Sequence, residues 1–199
     1  MKKTDENVTN VDADELAKKN KKKNLISIIV IAVIAIFSAV YLIKQNADRP
    51  TISIDGVEFK LKASASVLTD AGFEITGGET LPGKTWNSLY VIEKDGVRYA
   101  YVTLYNTSSS EKPLSECRIG EIVTEVGVSF DGSDKVLLNG KPVVGITLSE
   151  AETNFGIKDD GDSAMSTKMG SDTLLLSYYD READCFEHMS LSCDFGKKY

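Results

Sequence analysis

The sequence predicts an α+β protein in which one N-terminal transmembrane helix is followed by two small tandem modules, each a short helix packed on an antiparallel sheet. Three observations predict this class. Residues 25–43 form a long apolar run without charge. An alternating strand that ends in Asp-Gly occurs twice, at Ile52–Gly56 and at Val128–Gly132. Each copy is followed by a stretch that favours a short helix and then by further alternating strands, an order that buries one helix against one sheet.

The apolar run at residues 25–43 is the predicted membrane anchor. Its 19 residues would form a helix of roughly 28 Å, close to the ~30 Å apolar core of a bilayer. The run is too long, and its basic segment too far from the first residue, for a typical cleaved secretion signal, so we expect an uncleaved signal anchor.

Five lysines precede the apolar run and predict its direction. Lysine and arginine mark the cytoplasmic side of a membrane segment, so the tail is expected inside the cell and the bulk of the chain outside. The expected location is therefore the cell membrane, with a single pass. The lysines are Lys18, Lys19, Lys21, Lys22 and Lys23.

Charge and cysteine content exclude several classes of function. Residues 1–49 carry nine Lys or Arg and six Asp or Glu, whereas residues 50–199 carry fourteen and twenty-four. The outer part therefore has a formal net charge of −10, which repels nucleic acid. Three cysteines without a CxxC pair and a single histidine do not provide a Cys/His zinc site. We expect no cofactor and no metal.

The predicted organisation has five parts. These are a cytoplasmic basic tail (1–24), the transmembrane helix (25–43), a linker (44–50), a first α+β module (51–126) and a second (127–199).

Local signals support the elements of each module. In the first module, Val67 and Leu68 lie in a short helix that Gly72 ends, and Asp95-Gly96 joins two strands. The expected strands there are Leu89–Glu93 and Val97–Tyr105. In the second module, Thr147 and Glu150 form a capping box, and Gly156 provides a C-terminal stop. The expected strands of that module are 164–168, 173–179 and 185–195.

The run Gly145–Ala151, followed by Phe155, Gly156 and Asp159, resembles the helix-to-sheet signature of the β-lactamase inhibitory protein repeat and of the outer-membrane assembly lipoprotein. It is also similar to uncharacterised membrane-anchored surface proteins of Gram-positive anaerobes that pair two such modules. The resemblance covers residues 127–195, and residues 51–110 only by order of elements. It implies a protein-binding scaffold without enzyme activity. It carries over no partner, because binding surfaces vary freely within a fold.

Residues 78–85 match the phosphate-loop expression GxxxxGK[ST]. This motif binds phosphate where a buried strand precedes it and a helix follows it. A strand pattern follows Thr85 instead, so we expect a glycine- and proline-rich loop without nucleotide.

Two other groups of polar residues have simple structural explanations. Asp159, Asp160 and Asp162 do not keep the alternating ligand spacing of an EF-hand, so a solvated turn is expected. His188 lies on an alternating strand, and the GxSxG elbow of a serine hydrolase is missing. A catalytic Ser-His-acid site is therefore not expected there.

The cysteine spacing limits disulfide formation. Cys185 and Cys193 lie eight residues apart on one predicted strand, about 26 Å, far beyond the ~7 Å limit between Cα atoms. Cys117 can pair with either of them, or all three can be thiols.

Tyrosines on one strand mark the predicted partner surface. Tyr99, Tyr101 and Tyr105 alternate along the strand and therefore share one face, and the opposite face carries aliphatic residues. One face must line the core, so the tyrosine face packs against the second module or presents a binding platform. With Asn106 and the loop that follows, it is where we expect a partner.

These patterns predict a single-pass, membrane-anchored extracytoplasmic domain that acts as a non-enzymatic binding module of the cell envelope. Its partner would be a protein or an envelope component. Two alternatives remain open from the sequence, an envelope sensor or assembly factor that acts through its cytoplasmic tail, and a hydrolase.

Overall fold

A computed structural model describes residues 27–41, 44, 48–127, 129–158, 161–180 and 182–194. The chain divides into two units, residues 1–47 and residues 48–199. In the first unit, residues 27–41 form helix α1. The predicted cytoplasmic tail, with its lysines Lys18 to Lys23, lies outside the described residues.

The second unit consists mainly of β-strands, five of which have eight or nine residues. Its strands are β1 (Ile52–Ile54), β2 (Val57–Phe59), β3 (Glu74–Thr76), β4 (Thr80–Leu81), β5 (Trp86–Lys94), β6 (Val97–Tyr105), β7 (Lys112–Pro113), β8 (Arg118–Glu125), β9 (Val136–Leu138), β10 (Lys141–Pro142), β11 (Ala164–Met169), β12 (Asp172–Asp180) and β13 (Cys185–Cys193). Its helices are α2 (Ser66–Thr69) and α3 (Leu148–Phe155), with 3-10 turns at Leu114–Glu116 and Ser133–Lys135.

The strands form one large sheet and two small ones, with antiparallel pairing throughout. The large sheet has seven strands in the order β11-β12-β13-β8-β6-β5-β3. A four-stranded sheet has the order β10-β9-β1-β2, and β4 pairs with β7. Strands from before and after residue 126 therefore share both larger sheets.

One continuous hydrophobic core joins the two larger sheets. Ile52 and Ile54 of β1 belong to the same buried cluster as Val102 of β6, Ile122 of β8 and Leu174 of β12. All five are at most 1% exposed. Burying the apolar faces of both sheets against each other is the main source of stability in such an arrangement.

Several predicted local elements are confirmed. β5 and β6 form a hairpin whose turn places Asp95 and Gly96 at φ 53° and 79°, the conformation that a two-residue turn of this kind requires. Helix α3 begins with the predicted capping box, in which the Thr147 side chain accepts from the Glu150 N–H and the Glu150 carboxylate accepts from the Thr147 N–H. Gly156 ends it in the left-handed region.

The predicted α+β class with tandem helix-on-sheet modules is wrong. The described chain is mainly β-sheet, and α2 has only four residues. The reason is β8, a strand that the sequence interpretation did not assign. β8 pairs with β6 on one side and with β13 on the other, so that strands from both predicted modules form one sheet.

The predicted transmembrane helix at residues 25–43 is also wrong. Among the described residues, no helix combines the length and the apolar content that crossing a bilayer requires.

The second copy of the repeated strand is not a strand either. Phe130 lies in a turn region and is 1% exposed, with its ring 4.7 Å from that of Tyr101 in an edge-to-face contact. Burial of the Phe130 ring, and not the alternating apolar pattern, determines the backbone conformation of this segment. The equivalent hairpin is β9 and β10, joined at Asn139 and Gly140, which have φ 51° and 74°.

A buried ion pair fixes the first residues of the second unit to the turn between β11 and β12. Arg49 Nη1 lies 2.5 Å from Asp172 Oδ1, and the two side chains are 4% and 0% exposed. Within the described part of the chain, Arg49 Nε and Asp172 Oδ2 have no hydrogen-bond partner. Burial raises the pKa of Asp172, and Arg49 opposes that rise. Removing one member of such a pair typically costs about 3–5 kcal/mol, because the other is left buried and charged.

Gly170 allows this contact. Its φ is +63°, and a Cβ at this position would lie 2.3 Å from the Asp48 carbonyl oxygen. No side chain fits there unless the chain at residue 48 moves away from the turn.

We predict that Gly170→Ala lowers the free energy of unfolding by more than about 2 kcal/mol, a large effect for one methyl group. Gly140→Ala is the matched control, since its φ is +74° and nothing lies within 4 Å of the added Cβ. The control should show only the cost of a left-handed backbone, about 1–2 kcal/mol. Urea unfolding of both variants measures the difference, and equal losses would contradict the assigned contact between Gly170 and Asp48.

Candidate functional site

The residues of the predicted partner surface lie in two different environments. Tyr99 is 2% exposed and Tyr101 is partly buried, whereas Tyr105 and Asn106 are 9% and 3% exposed and line a surface pocket. The four residues therefore do not form one continuous exposed platform.

Residues 129–135 cover the first two tyrosines. Phe130 packs on Tyr101, and the Gly132 N–H donates to the Arg98 carbonyl at 3.0 Å. A Cβ at Gly132 would lie 2.6 Å from Tyr99 Cδ1, so the turn contacts the ring directly. Tyr99 and Tyr101 thus serve packing between segments that are distant in sequence.

A surface pocket of about 150 Å³ lies where β6 ends and β8 begins. We call it the Arg118 pocket. Its walls come from a residue two positions before α2, from the end of β6 and the loop that follows it, from β7, from the 3-10 turn that precedes β8, and from the first residue of β8. The lining residues are Ser64, Tyr105, Asn106, Thr107, Ser108, Lys112, Glu116 and Arg118.

A β-bulge sets the positions of two wall residues. The register between β6 and β8 shifts after Thr103, so that Leu104 pairs with Ile119 and Tyr105 pairs with Arg118. An extra residue in one strand re-aims the side chains beyond it. Tyr105 and Arg118 are therefore cross-strand neighbours at the pocket.

Asn106 organises the loop at the pocket through four side-chain hydrogen bonds. Its Nδ2 donates to the carbonyls of Leu81 and Ser110 at 2.9 and 2.8 Å. Its Oδ1 accepts from the N–H and the hydroxyl of Ser108 at 2.9 and 2.7 Å. The buried amide uses its donors and acceptors to hold the loop in one conformation.

The segment that matches the phosphate-loop expression supports this loop. Thr85 is followed by strand β5 and not by a helix, so the context that phosphate binding needs is missing. The Lys84 N–H donates to the Ser108 carbonyl at 3.0 Å, and the Lys84 ammonium group donates to the Thr107 carbonyl. A Cβ at Gly83 would lie 2.5 Å from the Ser109 carbonyl group. Glycine here permits close packing of two loops.

The pocket carries two cations and one anion. Lys112 Nζ lies 3.0 Å from Glu116 Oε2, and Arg118 Nη1 donates to the Lys62 carbonyl at 3.0 Å. That bond uses one of the five N–H donors of the guanidinium group. Burial raises the pKa of Tyr105 to about 12, so its hydroxyl stays protonated near neutral pH.

His188 lies between Ser177 and Glu125 in a row of polar residues that crosses the large sheet. Its Nδ1 lies 2.9 Å from Ser177 Oγ, and His188 pairs in register with Glu125 on the other side. The edge of the ring contacts Tyr178 at a centroid distance of 5.5 Å. Because β13 has hydrogen-bonded neighbours on both sides, its N–H groups serve the sheet and do not converge on a developing oxyanion. The arrangement provides a hydrogen-bonded Ser-His pair on a flat sheet surface.

The acidic side chains and the cysteines provide neither a metal site nor a disulfide among the described residues. Within the described ranges, no group of three His, Cys, Asp or Glu side chains could hold a metal ion. Asp159 and Asp160 lie outside those ranges. Cys117, Cys185 and Cys193 are free thiols, and burial raises the pKa of each, which keeps them in the less reactive thiol form.

No family model matches the chain, and no curated protein or solved structure is significantly similar to it. The resemblance to the β-lactamase inhibitory protein repeat and the outer-membrane assembly lipoprotein therefore stays a prediction.

Sequence interpretation located Tyr105 and Asn106 but missed the charged wall of the pocket. Arg118 is the first residue of β8, and the pattern that could have identified this strand is the apolar set Ile119, Ile122 and Val123 between charged residues. No local sequence pattern marks Lys112 as a pocket residue, because its position depends on the pairing of β7 with β4.

We predict that Asn106→Ala lowers the free energy of unfolding by about 2 kcal/mol or more, because it removes all four side-chain bonds of Asn106, among them the buried bond to the Leu81 carbonyl. Thr107→Ala, at the exposed neighbouring position, should change it by less than about 0.5 kcal/mol. Urea unfolding tests the pair. Similar losses for both variants would contradict the role of Asn106 as loop organiser.

The single histidine of the chain permits a clean test of pH dependence. Burial lowers the pKa of His188 below its ordinary value of 6.5, while Glu125 and Glu121 oppose the shift. Between the folded-state pKa and about 6.5 the unfolded chain binds more protons, so stability is complete above this window and is lost as the pH falls through it. Proton NMR titration of His188 should give a pKa below 6.5.

The matching stability measurement compares the protein with His188→Gln. The unfolding free energy of the unchanged protein should fall as the pH drops from about 7 to about 5, and that of the variant should fall less. Identical pH profiles for the two proteins would contradict the assignment.

Proposed function

We propose that residues 48–199 act as a non-enzymatic binding module of the cell envelope, that the chain is attached to a membrane through its N-terminal part, and that a partner binds at the Arg118 pocket. The observation that carries this proposal is a polar pocket next to a loop that is held in one conformation before any ligand arrives.

The fixed loop favours binding because little order has to be gained. The Asn106 N–H donates to the Thr85 carbonyl at 2.9 Å, and the Leu114 N–H donates to the Glu79 carbonyl at 3.1 Å. With the side-chain bonds of Asn106, these contacts hold both ends of the loop. Ordering a mobile loop on binding costs free energy, and a preorganised loop avoids most of that cost.

Exposed apolar side chains of α1 support membrane attachment. Ten large apolar side chains of this helix are between 43% and 71% exposed. Residues 28–31 are four of them, and successive residues of a helix point in directions about 100° apart, so the apolar surface surrounds the helix. A surface of this kind favours a nonaqueous environment. The lysines at 18–23 fit the same proposal, because they attract anionic lipid headgroups.

The proposed function predicts contact with a partner at the pocket and not elsewhere on the domain. A photoreactive amino acid replaces Thr107, at the rim of the pocket, in the full chain expressed in its host cells. The matched position is Lys141, which is also exposed but lies in β10 of the small sheet. We expect a discrete crosslinked product from position 107 that unmodified protein suppresses by competition, and none from position 141.

Equal crosslinking at the two positions, or no competed product at position 107, would overturn the proposal. Circular dichroism of both substituted proteins provides the control for folding.

A further inference from the structure

We propose that the Arg118 pocket binds a carboxylate group of the partner, either a C-terminal carboxylate or an Asp or Glu side chain. The inference rests on the proposed function for the existence of a partner and names the chemical group that the pocket recognises.

The charge of the pocket differs from that of the domain around it. Lys112 and Arg118 outnumber Glu116 in the lining, whereas residues 50–199 carry a formal net charge of −10. A local excess of positive charge on an acidic surface attracts an anionic group to that place. Basic partners, which the remaining surface would attract, find a repulsive site here.

Arg118 is held in position from two sides. It forms an isolated bridge with Ser64, and it pairs in register with Tyr105 across the sheet. Its Nη1 bond to the Lys62 carbonyl orients the guanidinium plane. A planar group with several parallel N–H donors matches the two oxygens of a carboxylate, and fixing it beforehand increases the gain per hydrogen bond.

The hydroxyl groups of the lining are less suited to bind an anion than the cations. Ser64 Oγ donates to the Ser115 carbonyl at 2.9 Å, and Ser108 Oγ lies 2.7 and 2.6 Å from two competing acceptors, Asn106 Oδ1 and the Ser110 carbonyl. A hydroxyl has a single hydrogen to donate. The two serine hydroxyls are thus already used within the protein, and the positive charge that attracts an anion comes from Arg118 and Lys112.

The charge balance favours a carboxylate over a phosphate. Lys112 is paired with Glu116 at 3.0 Å, so about one positive charge remains to be compensated, which equals the charge of one carboxylate. A phosphate carries about −1.5 to −2 near neutral pH and would place its second charge close to Glu116. A pocket of about 150 Å³ has room for a carboxylate with its first carbons.

The test is titration of the ¹⁵N-labelled full chain, kept in detergent micelles, with N-acetyl-dialanine. We expect saturable shifts of the amide signals of Thr107 and Ser108, and binding at least about tenfold weaker for the C-terminal amide of the same peptide. Arg118→Gln should weaken binding of the free acid about tenfold or more. Arg118→Lys should weaken it less, because lysine keeps the positive charge but lacks the paired N–H donors of the guanidinium group. Lys141→Gln, an exposed lysine away from the pocket, is the matched control and should bind like the unchanged protein.

Several results would overturn the inference. Equal binding of acid and amide, unchanged binding by Arg118→Gln, or tighter binding of inorganic phosphate than of the peptide would each do so. Lys112→Gln gives a second test if Arg118→Gln does not fold, and it should also weaken binding. Crosslinking at Thr107 without peptide binding would overturn the ligand class and leave the proposed function intact. Peptide binding without competed crosslinking would overturn the proposed function and leave the ligand class intact.

Discussion

The pairing of β8 with β13 is the interaction on which the rest of the structure depends. Five residue pairs, from Glu121 with Ser192 to Glu125 with His188, join strands that are more than sixty residues apart in the chain. Without them, β3, β5, β6 and β8 would end in an open edge, and β11 to β13 would form a separate small sheet. An unpaired edge invites aggregation. The same strand β8 carries Arg118, which its pairing with β6 on the other side places beside Tyr105.

Elements with strong local signals could be predicted from the sequence, and elements that depend on distant pairing could not. The Asp95-Gly96 turn between two alternating runs and the capping box at Thr147 each need only a few neighbouring residues to form. β8 has no such turn on either side, and its central place comes from two partner strands. Asn139-Gly140 is a strong turn signal that was overlooked in favour of Asp131-Gly132, where burial of Phe130 determines the local structure.

The candidate site shows the same division. Asn106 was expected near a binding surface because it begins a polar loop, and the structure places it at the pocket. For Tyr99 and Tyr101 the sequence leaves two alternatives, because one face of the strand lines the core and the second face either packs against the second half of the chain or forms a binding platform. Here residues 129–135 return from a distant part of the chain and cover the second face. The bulge that brings Arg118 beside Tyr105 has no counterpart in local periodicity.

The ion pair of Arg49 with Asp172 also has a mechanical consequence. Residues 48 and 49 are the first of the second unit, so any tension applied to that unit from its N-terminal side reaches the start of β12 before it reaches β1. β12 lies next to the edge of the large sheet, and pulling there loads the Arg49 contact and the β11-β12 turn first. The buried pair therefore carries a load applied at this end of the unit before β1 does.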